Sequence, residues 1–342
     1  MNTLRKIAIS ILASVFAFAS ANAGELSVTG SVKATYAINS VDGSETDNNT
    51  GKGMGLANEF TLSASGELDN GYTWSFNQDI DDATVQDDAS LTIGMGGLGS
   101  VKWNISDGGI QKNFSSSQST YGTPVDTGTS GTYVDAADTG GMASIRYTTP
   151  SGLPLDTSIS VQYAPQTGAL ANSSSNGQGV ADTAYESAME YAISATPIEG
   201  LNVGASYFDP DDTRTAQEAE GGAWFATYAL GSVSFGYGKS YMAEGFTTST
   251  TIAATTAEDY DNTQMSVAFN VNDALTISYE DVESQKSTIT SSNDVTMDAT
   301  SIQASYTIGG MTLSVSHDEF DNLDYTSGNK MNETLFAAAI SF

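Results

Sequence analysis

The sequence contains no cysteine and only one histidine, His317. Disulfides are therefore excluded, and the nitrogen and sulfur ligands of a structural zinc site are missing. A Ser-His-Asp triad would have to be built on His317, which shares a strand face with Met311, Leu313 and Val315. We interpret His317 as a rim residue near lipid headgroups, and we expect neither enzymatic activity nor a bound cofactor.

Positive charge is also scarce. The chain has 11 Lys and Arg against 41 Asp and Glu, a net charge of −30 at pH 7. Such a surface repels nucleic acid and attracts cations. An acidic chain with 34 glycines could be disordered, but 16 tyrosines, 13 phenylalanines and a regular alternation of apolar residues favour a folded protein.

The longest hydrophobic segment of the sequence lies at its N-terminus. Arg5 and Lys6 precede a short apolar stretch at 7–19, and Ala21-Asn22-Ala23 has the pattern of a cleavage site. This predicts a signal peptide at 1–23 and a mature chain at 24–342. Beyond it the longest apolar run, 335–340, has six residues. Because no such segment can form a transmembrane helix, membrane insertion would require a closed β-barrel.

The mature chain alternates between apolar and polar residues with the period of a β-strand. In the first strand Leu26, Val28, Val32, Tyr36 and Ile38 fall on one face, and polar residues fall on the other. The second and third strands lie on either side of the turn at 69–71. The pattern predicts thirteen further strands near 89–94, 100–105, 142–148, 155–163, 185–195, 201–208, 223–230, 232–239, 262–270, 275–280, 299–308, 311–317 and 332–342.

The connections between these strands alternate between short and long. Seven short turns and eight long loops are what sixteen antiparallel strands with both termini on the periplasmic side require. We therefore predict an all-β transmembrane barrel, with 14 or 18 strands as alternatives. A soluble β-sandwich would not need eight long loops at one end, and no repeat typical of a solenoid is present.

The chemistry of the two strand faces indicates which one meets lipid. The polar face carries charged residues, which are costly at the bilayer midplane. The polar face should therefore line an aqueous lumen, and its residues include Lys33, Glu59, Arg146, Gln162, Glu190 and Glu280.

At this point the sequence resembles the general bacterial porins, especially those of alphaproteobacteria. The residues that carry the resemblance are 26–32 (LSVTGSV), 146–152 (RYTTPSG) and 272–277 (NDALTI), spread over the whole mature chain. The alternating Phe336, Ala338, Ile340 and Phe342 are similar to the C-terminal signal by which barrel proteins are recognised for outer-membrane assembly.

The resemblance implies a homotrimer in the outer membrane of a Gram-negative bacterium, in contact with lipid and lipopolysaccharide. It also implies a third external loop folded into the pore. Strand counting independently makes the third long connection, 106–141, the longest of the eight. Contacts between subunits are expected to use outward residues of the first and last strands.

One departure from the family pattern concerns the constriction. Such porins set a row of lumenal arginines against acidic loop residues, but here only Lys33, Lys102 and Arg146 are predicted to face the lumen. Carboxylates in a pore favour cations, so we expect a preference for cations. The predicted constriction residues are Asp107, Asp126, Asp135, Asp138, Lys33, Lys102, Arg146 and Glu59.

Acidic clusters in predicted external loops raise the question of a calcium site. Asp209, Asp211 and Asp212 offer the oxygen ligands that Ca²⁺ prefers, and external cations help to bridge anionic lipopolysaccharide. The alternative is ordinary solvated loop charge.

Three functions are compatible with this sequence. The first is passive diffusion of small hydrophilic solutes and ions. The second is a substrate-selective channel for cationic or amino-containing nutrients. The third is an adhesin or assembly factor without a conducting lumen. Ion conductance separates the third from the other two, and saturable block by one solute separates the second from the first.

Overall fold

The computed structural model describes residues 25–42, 51–81, 88–105, 108–110, 113–124, 134–135, 138–165, 185–212, 216–246 and 253–342. The predicted signal peptide lies outside these residues and stays a prediction. The sixteen strands are β1 (Glu25–Asp42), β2 (Gly51–Glu67), β3 (Thr73–Asp81), β4 (Ala89–Gly94), β5 (Ser100–Ile105), β6 (Ser144–Thr148), β7 (Ser158–Ala164), β8 (Tyr185–Ile198), β9 (Leu201–Asp212), β10 (Glu220–Leu230), β11 (Val233–Ala243), β12 (Ala257–Asn270), β13 (Leu275–Thr288), β14 (Val295–Ile308), β15 (Met311–Asp321) and β16 (Lys330–Ser341).

Each strand pairs antiparallel with its neighbours in sequence, and β1 pairs with β16 to close the barrel. At the closure the Gly30 amide donates to the Phe342 carbonyl at 2.8 Å, and the Phe342 amide donates to the Gly30 carbonyl at 2.9 Å. A Cβ at Gly30 would meet the Phe342 ring, so glycine permits this approach. The predicted strand number is therefore confirmed.

The short turns have the predicted chemistry. Gly71 has φ of 81°, a left-handed conformation that glycine adopts without strain, and the Asn70 side chain accepts a bond from the Tyr72 amide. In the turn between β12 and β13, Asn272 Oδ1 accepts bonds from the amides of Ala274 and Leu275. Within the residues that the structure covers, no helix is both long and apolar enough to cross a membrane.

The alternation of faces is clearest in β14. Ile302 is 64% exposed on the outside of the barrel, whereas its neighbours Ser301 and Gln303, which face inward, are 1% and 2% exposed. This apolar outer face meets the hydrocarbon of the membrane, and the polar inner face does not.

Several strands extend further at the loop ends than predicted. β13 continues to Thr288 instead of residue 280, and β14 begins at Val295 instead of residue 299. The prediction was wrong there because the outer ends of the strands rise above the hydrocarbon. Charged residues such as Glu283 and Asp298 can then occupy the outward face while the hydrogen-bond ladder continues.

The strands are unequal in length around the barrel. We call β3–β7, with 5 to 9 residues each, the low wall, and β8–β16, with 11 to 14 residues each, the high wall. At a rise of about 3.3 Å per residue, six residues tilted by about 40° reach only about 15 Å, whereas the apolar band of such barrels is about 25 Å tall.

The inner face is not polar throughout. Val282, Ala299, Phe320, Leu323 and Met331 form a buried apolar cluster on the inside of the high wall, near its outer end. A second cluster consists of Ala164, Ala188 and Phe208. At these outer ends the inward side chains are therefore packed against one another and away from water.

Candidate functional site

A row of polar side chains crosses four neighbouring strands on the inner face. The strand register places Lys102 beside Arg146, Arg146 beside Gln162, and Gln162 beside Glu190. Each residue points inward because it falls on the alternate face from an exposed apolar residue, such as Trp103 on β5.

Arg146 and Gln162 bind the start of the long third connection. Arg146 donates through Nη2 to the carbonyls of Gly108 and Gly109, the latter at 3.1 Å, and through Nε to Gln162 Oε1 at 2.5 Å. Gln162 Nε2 also donates to the Gly108 carbonyl, at 2.5 Å. Arg146 is thus engaged by backbone carbonyls and is not an open lumenal cation.

Glu190 holds both ends of the same connection. Its Oε1 accepts a bond from the Ile110 amide at 2.9 Å, and its Oε2 accepts bonds from the amide and hydroxyl of Thr139 at 3.2 and 2.8 Å. The side chain is buried. One carboxylate therefore joins two loop segments that are 29 residues apart to β8.

The middle of the connection binds the inner face of the high wall. Glu280 Oε2 accepts bonds from the hydroxyls of Ser117, at 2.6 Å, and Ser119. The Gln118 amide donates to Ser266 Oγ at 2.9 Å, and the Tyr121 amide donates to Gln303 Oε1 at 2.9 Å. Buried polar residues on β12, β13 and β14 thus bind successive residues of the loop.

Gly236 on β11 permits a close approach at the same place. A Cβ at this position would collide with the Ser116 carbonyl oxygen. Ser116 itself donates to Gln264 Oε1, and its carbonyl accepts a bond from Ser266 Oγ at 3.0 Å. The loop backbone therefore lies directly against the strand.

Further along, Tyr121 meets the first strand. Lys33 Nζ lies 5.6 Å from the centre of the Tyr121 ring, within the range of a cation–π contact. Burial, followed by the negative charges of Glu333 and Asp318, raises the pKa of the Tyr121 phenol. The ring therefore stays neutral at physiological pH.

The predicted constriction residues have different environments. Asp135 Oδ1 accepts a bond from Ser240 Oγ of β11 at 2.9 Å. Asp138 Oδ1 accepts one from the Gly140 amide at 2.7 Å. Asp107 and Asp126 lie outside the described residues. Whether these aspartates shape the constriction stays a prediction.

Two inward charged residues were missed by sequence reasoning. Lys286 Nζ lies 5.9 Å from the Tyr325 ring, but position 286 was assigned to a loop. Asp318 is buried and accepts bonds from Ser301 and Ser316. Continuing the strand alternation past residues 280 and 317 would have found both.

Glu59 and Lys102 line a recess of about 240 Å³ on the inner face of β2 and the low wall. The other lining residues are Thr61, Asn77, Asp79, Asp88, Ala89, Ser90 and Asn104. The structure therefore brings together one acidic and one basic residue from the predicted set, beside two further carboxylates.

The aspartates considered for calcium belong to β9, not to a loop as predicted. Asp209 and Asp211 are exposed, and Asp212 Oδ2 accepts a bond from the Ala219 amide at 2.7 Å. In the described part of the chain, no three Asp, Glu or His side chains are placed to hold a metal ion. The calcium site stays a prediction without geometric support.

Residues 8–339 match the family model of the Gram-negative porins. The chain belongs to this family. The porin is therefore an outer-membrane protein, as predicted, in a family of passive channels. No curated protein shows significant sequence similarity to it.

Solved structures support the same fold. OmpF of Salmonella typhi, in complex with daunomycin, has a TM-score of 0.64 at 16% identity, covering 93% of this chain and 98% of that one. The outer membrane channel DcaP of Acinetobacter baumannii has a TM-score of 0.66 at 12% identity, covering 95% and 99%. An anion-selective porin from Comamonas acidovorans has a TM-score of 0.61 at 11% identity, covering 93% and 100%.

Proposed function

We propose that this porin lets small hydrophilic solutes and ions diffuse passively, prefers cations, and is narrowed by the 106–141 loop. The contacts of residues 108–110 and 116–122 with the inner faces of β6, β7, β8, β12, β13 and β14 support the narrowing. Because these contacts lie inside the barrel wall, the loop takes up part of the lumen cross-section.

The charge of the inner face carries the cation preference. Acidic residues outnumber basic ones among the inward side chains of the described segments, and the low-dielectric wall focuses their field on the pore. The acids include Glu59, Asp79, Asp88, Asp135, Asp138, Glu190, Glu280, Asp318 and Glu333, and the cations are Lys33, Lys102, Arg146 and Lys286.

The exposed acids matter most for permeating ions. Glu190, Glu280, Asp318 and Glu333 are buried, whereas Glu59 is exposed and Asp79 is partly exposed beside the same recess. Screening over about 8 Å at physiological ionic strength limits the effect in a wide lumen. The preference should therefore be modest and should weaken as salt is added.

The homotrimer is also part of the proposal. In the low wall, β4, β5 and β6 have only 5 or 6 residues each and are too short to span the apolar band alone, so another subunit is the natural cover for their outer face. The low wall's outward row of Leu91, Trp103, Ile145 and Tyr163 is apolar and continuous in register. We place the centre of the subunit contact on the low wall, beside the first strands, rather than on the first and last strands alone.

A planar-bilayer recording tests the channel proposal. In a KCl gradient we expect steady conductance and a reversal potential shifted toward the potassium equilibrium value. Combined Asp126→Asn, Asp135→Asn and Asp138→Asn substitutions should move it toward the chloride value. An absence of conductance, or an anion-selective wild type, would contradict the proposal.

A further inference from the structure

The recess beside Glu59 combines charge with uncharged hydrogen-bonding groups. The register aligns Ser63, Asn77, Ser90, Asn104 and Ser144 in one inward row across β2 to β6. Asp79 lies two residues from Asn77 on the same face, and its amide donates to the Asp88 carbonyl at 2.9 Å. The carboxylates of Glu59, Asp79 and Asp88 outnumber the single ammonium group of Lys102 in the lining.

Asn104 is the unusual member of this lining. The residue is only 2% exposed, yet neither its Oδ1 nor its Nδ2 has a hydrogen-bond partner within the described residues. Asp79 Oδ1 is likewise buried without a hydrogen-bond partner there. A buried amide and a buried carboxylate oxygen without partners are costly, so a ligand that bonds to them gains affinity.

The free groups indicate the chemistry of that ligand. Two of the three unpartnered atoms, Asn104 Oδ1 and Asp79 Oδ1, are acceptors, and the local charge is negative. An ammonium group supplies several N–H donors and a positive charge. The described residues place no three Asp, Glu or His side chains to hold a metal ion, so a bare divalent cation fits less well.

The volume of the recess and the spacing of its polar groups restrict the choice of ligand further. The volume of about 240 Å³ is below the range of about 300–1,000 Å³ for sites that hold drug-sized ligands. Asp79 and Asn104 lie two strands apart, so a short solute with donors at both ends could reach both residues.

We propose that this recess is a binding site for small aliphatic ammonium solutes, short diamines foremost, on their way through the channel. This inference rests on the proposed function, since the recess must line a conducting lumen. It makes the channel selective for one chemical class without abolishing general diffusion.

Single-channel recording of the full-length protein with putrescine as the probe tests the site. Putrescine should reduce the current in a saturable manner. Butanediol, its uncharged analogue, should not, and 1,4-bis(trimethylammonio)butane, a dication of the same chain length without N–H donors, should pass without saturable block. Equal block by putrescine and this dication would overturn the proposal, because charge alone would then explain the effect.

Variants locate the site. Asp79→Asn removes the charge at a partly exposed position, and Asn104→Leu removes both unpartnered polar atoms at similar volume. Each should raise the half-blocking concentration of putrescine by about tenfold, the effect of one charge-assisted hydrogen bond. Glu67→Gln, on the same face of β2 but outside the recess, should leave it unchanged.

Asp79→Asn keeps the test decisive even if the more deeply buried Asn104→Leu fails to fold. Unchanged block in Asp79→Asn would overturn the assignment. If the channel prefers cations but shows no saturable block by putrescine, only the proposed binding site in the recess is contradicted. If the protein does not conduct at all, the proposed function itself is contradicted.

Discussion

The low wall and the high wall follow the same alternation of apolar and polar residues, but their inner faces differ. On the high wall, inward acids such as Glu190 and Glu280 are buried beneath the third loop and satisfied by its amides and hydroxyls. On β2 and the low wall, Glu59 and Asp79 line an open recess. Carboxylates therefore hold the loop on one wall and face the lumen on the other, where solutes would meet them in the proposed function.

Their outer faces differ as well. The short strands of the low wall present an apolar row too low to cover the membrane core, whereas the high wall continues above it with outward acids. The outer face of the low wall is thus suited to contact with another subunit. The outer face of the high wall is suited to lipid hydrocarbon in its lower part and to charged headgroups in its upper part.

The largest effect is expected from an arginine on the outside of the low wall. Ile145→Arg should convert the proposed trimer to monomers, because a buried interfacial charge without a partner is strongly unfavourable. Ile302→Arg is the matched control, since Ile302 faces outward on the high wall. Because Ile302 is paired with His317, near the rim, the arginine should cost less than the value of about 2–4 kcal/mol expected at the midplane, and it should leave the proposed trimer intact. Light scattering in mild detergent measures the molar mass of each variant. If both variants dissociate, or neither does, the subunit contact is not specific to the low wall.

Loss of a loop anchor on the high wall should have the next largest effect. Glu280→Ala removes the acceptor of Ser117, Ser119 and Gln264. We expect loop docking to weaken by about 2–4 kcal/mol, with faster proteolysis of the loop and more open-channel current noise. Asp281→Ala, one residue along on the outward face, should change neither. A quiet, protease-resistant Glu280→Ala variant would contradict the anchoring role.

A smaller effect is expected where the loop touches β11. Gly236→Ala places a methyl group on the Ser116 carbonyl and should lower stability by about 1–3 kcal/mol. Gly53→Ala, where a Cβ would meet nothing within 4 Å, should be close to neutral. Thermal unfolding in detergent compares the two. Equal melting temperatures would mean that the loop does not lie against Gly236.

The smallest effect concerns the outer end of the high wall. Asp298 is directly opposite Glu283 on β13 and Asp321 on β15, so three like charges are neighbours. Asp298→Asn should stabilise the barrel by about 0.2–1 kcal/mol at low salt, and the gain should vanish at high salt. Asp273→Asn, in the turn before β13, is the control. A gain that persists at high salt would exclude relief of repulsion as its cause.

The number and order of the strands could be predicted from the sequence because every membrane crossing repeats the same alternation. Even the six-residue β4 (Ala89–Gly94) and β5 (Ser100–Ile105) have the predicted bounds. The outer extensions could not be predicted in this way. Above the hydrocarbon the outward face no longer needs apolar residues, so residues such as Glu283 resemble a loop.

The site was only partly predictable for a different reason. The alternation of inward and outward residues along each strand placed Arg146, Gln162 and Glu190 on the inner face. It could not reveal that these side chains bind the loop. The Ser117–Glu280 bond joins positions 163 residues apart. Such contacts depend on the path of the loop, which no local pattern encodes. The sequence did not predict the recess, because an uncharged polar residue such as Asn104 looks like any other inward residue of a strand.

The reversal potential in a low-salt KCl gradient tests the difference between the two walls most directly. Neutralising the two acids of the recess with Glu59→Gln and Asp79→Asn should move the reversal potential clearly toward the chloride value. Glu333→Gln, which neutralises a buried inward acid on the high wall, should move it much less. If Glu333→Gln shifts the reversal potential as far as the double variant does, buried and open acids act equally on permeating ions. That result would contradict the proposed difference between the two walls.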